Sequence, residues 1–193
     1  MKLFEHRIAL SFLVRSLVPS LPAVMVETVK ILTSITLLPP DGHERVLEAI
    51  TCSAQLKGNP RFHPIIEPLA KMGNDVLILA CIQLINSIVN RPDNLDIRIH
   101  LRNEVMCAGL GDILEKLARK DCVDLQFQLK LFDDHRLKDL KEFSQKFGSM
   151  PFDLDNLKKC FDMLCNFVAK TPCEPLLLSI FQQLLFVRDD PNK

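Results

Sequence analysis

The segment Asp75 to Asn90, DVLILACIQLINSIVN, constrains the fold more than any other part of the chain. Leu77, Ile78, Leu79, Cys81, Ile82, Leu84, Ile85, Ile88 and Val89 cover most of the circumference of a helix. Gln83, Asn86, Ser87 and Asn90 recur at three- and four-residue steps and share one face. A helix so apolar is central to its fold, and its narrow polar face must meet water or a partner.

The same helical spacing of apolar residues runs through nearly every segment between prolines and glycines, and strict alternation is scarce. The chain is therefore expected to be all-α. Helices are predicted at about 2–18, 23–38, 42–56, 62–72, 75–90, 94–108, 110–119, 122–147, 153–170 and 174–187, with ends good to roughly 2–4 residues. Pro39-Pro40-Asp41-Gly42 cannot continue a helix. Pro92-Asp93-Asn94 supplies a stop and then a cap, from either Asp93 or Asn94. Gly73-Asn74-Asp75 and Gly148 to Pro151 read as a glycine stop before a new start. The predicted first helix should leave an apolar patch at Ile8, Phe12 or Leu13.

Composition removes several function classes. The 193 residues are long enough for one extended domain or an array of repeats. Lys plus Arg and Asp plus Glu are equal at 24 each, so no global field draws the chain to nucleic acid or acidic lipid. Without Tyr or Trp, base stacking would fall to phenylalanines at core spacing. No apolar run approaches the ~20 residues of a membrane span. Glu5, His6, Arg7 and Arg15 interrupt the N-terminal apolar stretch, as a secretory leader would not. The scattered, odd-numbered cysteines read as buried free thiols of a cytoplasmic protein.

Catalytic and metal signatures are weak. No histidine pair has ligand spacing, and Cys160 and Cys165 fall on different faces of one predicted helix. No glycine-rich phosphate cradle is visible. In the run Asp93 to Glu104, Arg98 and Arg102 share a face, and His100 with Glu104 reads as an ordinary surface pair. Segment 112–147, where Lys116, Asp124, Lys138, Asp139 and other charges flank a stripe of leucines and phenylalanines, reads as an exposed amphipathic hairpin. No cofactor is expected.

Three helices look alike when aligned. Ile31-Leu32-Thr33-Ser34-Ile35, Leu84-Ile85-Asn86-Ser87-Ile88 and Ile180-Phe181-Gln182-Gln183-Leu184 each place two polar residues between apolar ones, with Lys30, Gln83 and Ser179 preceding them equivalently. Repetition of one pattern in an all-α chain points to a solenoid whose units stack their apolar faces, here with irregular spacing and hence insertions. Lys30, Thr33, Ser34, Gln83, Asn86, Ser87, Asn90, Ser179, Gln182 and Gln183 are then candidates for one concave binding surface, or for a solvated face without a ligand. Their mostly short amides and hydroxyls allow a partner's backbone to approach.

GHERVLEAI (Gly42 to Ile50), RFHPIIEPL (Arg61 to Leu69), CIQLINSIVN (Cys81 to Asn90), LDIRIHLRNEVMCAGL (Leu95 to Leu110) and EPLLLSIFQQLLFVRDD (Glu174 to Asp190) occur in an order that resembles the armadillo-repeat inhibitory region, FH3 or DID, of Diaphanous-related formins. The resemblance implies one armadillo-type α-solenoid domain over 1–193. It implies a groove of third helices that holds an amphipathic autoregulatory helix of a formin, keeping actin assembly off until a Rho-family GTPase displaces that helix. Ser87 stands where the family commonly has alanine, mid-groove. By the same comparison the GTPase-binding extension, the first repeat and the actin-binding regions are expected to lie outside this sequence. GTPase binding should then be weak and actin reached only through the parent protein, in a cytoplasmic, cytoskeleton-associated setting. The competing readings are an armadillo-type scaffold for another helical partner and an α-helical enzyme or metal protein.

Overall fold

The computed structural model describes residues 7–146 and 156–186. Every regular element among them is helical: α1 (Arg7–Arg15), α2 (Pro22–Thr36), α3 (Gly42–Lys57), α4 (His63–Lys71), α5 (Asp75–Asn90), α6 (Leu95–Val105), α7 (Gly111–Ala118), α8 (Val123–Lys146), α9 (Leu157–Val168) and α10 (Glu174–Leu185). The expected all-α fold is what the chain adopts, as packed helical repeats. The Gly148 to Pro151 stop and the Ile8 part of the N-terminal patch lie outside the description; Phe12 of that patch is exposed.

Local chemistry sets most helix ends. Asn74 Oδ1 accepts from Leu77 N at 3.0 Å to start α5, and Asn94 Oδ1 accepts from Asp96 N at 2.8 Å to start α6. Proline occupies the first turn of α2, α4 and α10, where its missing N–H costs nothing. The left-handed residue closing α4 is Met72 (φ 55°), one position before the glycine that the sequence singled out. The α6–α7 boundary is the expected turn between two helices. At Gly109, φ 113°, the backbone leaves helical geometry and kinks the chain from one helix into the next.

The chain divides into two compact units, Met1–Glu142 and Phe143–Lys193. In the first, α2 and α3 pack on one another, α5 packs along α2, and α4 and α6 also contact α5. Ile78, Cys81, Leu84, Ile85, Ile88 and Val89 of α5 meet Met25, Val29, Leu32 and Ile35 of α2 in one core. Each such side chain contributes about 1.5–3 kcal/mol on full burial, so α5 is the organising element.

Two expectations fail in this unit. α8 is no freely solvated partner of α7, since Leu125, Phe132 and Asp139 are buried. Nor are Arg98 and Arg102 surface residues: Arg102 is 3% exposed, because α8 covers that face of α6. The cysteines also depart from a uniformly buried set: Cys81 is buried, whereas Cys52, Cys107 and Cys173 are exposed at the polar edges of their helices or turns.

In the second unit α9 contacts α10, with the Phe161 and Phe181 ring centroids 5.0 Å apart. None of its described residues is buried. Leu164, Phe167, Leu178 and Leu184 are largely exposed, since two short helices have too little surface to enclose a core.

Candidate partner-binding surface

The stripe on α5 survives folding as a line of half-buried side chains, Gln83, Ser87 and Asn90. Extended one and two turns towards the N-terminus, the line continues through half-buried Leu79 and exposed Val76. The sequence places Leu79 with the apolar circumference and does not single out Val76, although a helical wheel carried past Gln83 brings both onto this line.

Asn86 is the exception. It is 5% exposed, and its Nδ2 donates to both the backbone oxygen and Oε1 of Gln128 on α8, each at 2.9 Å. That amide ties two helices together and is not open to a ligand. The pattern of α5 could not reveal this, because the adjacency of α8 is tertiary.

The hydroxyls on the surface have already spent their protons. Ser87 Oγ donates to Leu84 O at 2.8 Å, Thr33 Oγ1 to Val29 O at 2.9 Å, and Ser34 Oγ to Lys30 O at 3.0 Å. Asn90 Oδ1 accepts from Arg102 Nη2 at 3.1 Å. Lys30 is exposed and pairs with Glu27 at 2.9 Å. Gln83 makes no side-chain hydrogen bond among the described residues, so its amide remains available as donor and acceptor.

α2 therefore presents Lys30, Thr33 and Ser34 beside α5, with Val24 and Ile31 exposed on the same helix. On the other side, α8 brings Gln128 to α5 and leaves Phe127 62% exposed. Small polar groups on α2 and α5 thus have exposed apolar side chains on α2 and α8 as neighbours in the same unit. The Cys81 thiol of α5 is pushed up to about 12 by burial and stays protonated. Ser179, Gln182 and Gln183 are exposed on α10 in the second unit. No cluster of three or more His, Cys, Asp or Glu side chains converges among the described residues.

Residues 43–193 match the sequence pattern of the Diaphanous FH3 Domain. The chain belongs to that family. This FH3 domain is 38% identical over 191 residues to protein diaphanous homolog 3 of Mus musculus, covering 98% of the chain and 16% of that relative. It is 37% identical over 186 residues to protein diaphanous homolog 2 of Homo sapiens, covering 94% of the chain and 17% of the relative. It is 38% identical over 197 residues to protein diaphanous of Drosophila melanogaster, covering 96% of the chain and 18% of the relative. The chain thus corresponds to a small part of these proteins, their FH3 region.

Proposed function

We propose that this FH3 domain is a regulatory binding module that holds an amphipathic autoregulatory helix of a formin against α2, α5 and α8, in a cytoplasmic, cytoskeleton-associated protein. Release of that helix by a Rho-family GTPase would relieve inhibition of actin assembly carried out elsewhere in the parent protein. The family match over 43–193 runs from the first compact unit into the second, which supports reading that span as one functional region. Ser179, Gln182 and Gln183, exposed on α10, enter the proposal through the resemblance alone.

The observation that carries this reading is Ser87: small, half-buried, its proton already satisfied, between Gln83 and Asn90 on a line that begins at Val76. A helix laid across it meets no long side chain there. Replacing Ser87 with Asp inserts a charge into a contact that binding would desolvate, at a cost on the order of 2–5 kcal/mol. Titration with a formin-type autoregulatory peptide, Leu face intact or scrambled, is the test. Equal affinity for the parent and Ser87→Asp proteins would place the ligand elsewhere. Equal affinity for the intact and scrambled peptides would favour a scaffold with a different partner.

A further inference from the structure

α8 docks in two chemically different halves. Its first half uses packing and a neutral hydrogen bond: Leu125 and Phe132 are buried in the core, and Gln128 accepts from Asn86. From Asp133 onward the only buried side chain described on the helix is Asp139, at 3% exposure. Leu140 and Phe143 of that half are half-buried.

Asp139 lies between two cations of α6. Its Oδ1 accepts from Arg98 Nε at 2.9 Å, and its Oδ2 is 2.7 Å from Arg102 Nη1. Arg98 is itself a junction, donating through Nη1 to Pro92 O at 3.0 Å and Asp93 O at 2.8 Å, and through Nη2 to Glu142 at 3.1 Å. Arg102 reaches Asn90 at the end of α5, with its guanidinium 5.8 Å from the Phe132 ring centroid. The end of α5, the α5–α6 loop, α6 and the second half of α8 therefore meet at one set of charges.

The bonding is incomplete. Arg102 Nε and Asp139 Oδ2 are buried without an aligned hydrogen-bond partner in the protein. Burial opposes the charged form of Arg102, and the neighbouring Asp139 carboxylate offsets this. A buried pair with unsatisfied atoms is a poor net stabiliser relative to a well-packed apolar pair, yet removing one member strands a charge and is strongly unfavourable. Such a contact is closed or open, with little between.

We propose that Asp139, gripped by Arg98 and Arg102, is the buried member of an ionic clasp on which docking of the second half of α8 against α6 depends, so that α8 can release from Asp133 onward while its first half and the α2–α5 core stay folded.

Hydrogen exchange read by mass spectrometry on the full 193-residue chain tests this. In Asp139→Asn, amides of 133–146 should exchange at least tenfold faster, with α2 and α5 within twofold of the parent. The double variant Arg102→Met, Asp139→Leu removes the two most buried charges, leaves Arg98 with Glu142 and the Pro92 and Asp93 carbonyls, and should return α8 to within threefold of the parent. Unchanged α8 exchange in Asp139→Asn would overturn the proposal. So would an equal rise across α2, α5 and α8, or loss of folding throughout, because the clasp would then be part of the global core. A double variant as loose as the single one would overturn it too, by showing that a stranded charge is not what opens the helix.

Discussion

Asn86 and Ser87 are sequence neighbours on one polar stripe, yet folding gives them opposite tasks. Asn86 points its amide under α8, and Ser87 stays at the surface with its proton on Leu84. Asn86→Ala should therefore cost about 1–3 kcal/mol in urea denaturation, since both hydrogen bonds to Gln128 are lost. Ser87→Ala should change stability by less than about 0.5 kcal/mol. Cys81 makes a prediction of a different kind. Its thiol rises from an ordinary 9.0 to about 12 in the fold, so its contribution is fully present below pH 9 and is lost as pH climbs towards 12. Alkaline unfolding of the parent should be steeper than that of Cys81→Ala by up to about 1.4 kcal/mol per pH unit in that window. Equal slopes in a pH series of urea melts would show that Cys81 ionises freely in the folded state.

At the scale of elements, two glycines hold the connections for different reasons. Gly42 begins α3 against the end of α2, where an added Cβ would sit 2.0 Å from Ile35 O. No rotamer relieves a clash with backbone, so Gly42→Ala should cost about 3 kcal/mol or more and loosen the α2–α3 junction. Gly109 has room, since the nearest atom to an added Cβ is Ile66 Cγ2 at 3.6 Å, but its φ of 113° excludes ordinary side chains. Gly109→Ala should cost about 1–3 kcal/mol through backbone strain alone. Urea midpoints for the two variants check the order, and a larger loss at Gly109 would reverse this account.

For the whole molecule, burial is unevenly distributed. The first unit has a continuous core centred on α5, whereas α9 and α10 bury none of their described side chains and expose Phe161, Phe167 and Leu185. Local stability follows buried apolar contact, so α9 and α10 should lose exchange protection at lower urea than α5. Exchange measured across a urea series should show two transitions in that order; a single coincident transition would mean that the units unfold as one body. The same exposed side chains should bind a hydrophobic dye in the native chain.

Much of this was legible in sequence because it depends on local periodicity and end chemistry. The apolar period of 75–90, the capping asparagines at Asn74 and Asn94 and the Pro39-Pro40 interruption each act within a few residues, and the helices fall where those signals place them. The line Gln83, Ser87, Asn90 follows from the same geometry. What the tertiary structure decided is which polar residues are used internally. Asn86, Arg98, Arg102 and Asp139 look like surface groups by pattern, and α8 converts them into buried contacts joining residues about forty positions apart. Helical period ranks faces by hydrophobicity, but a buried ion or amide is identified only by the partner that satisfies it, and that partner comes from another helix.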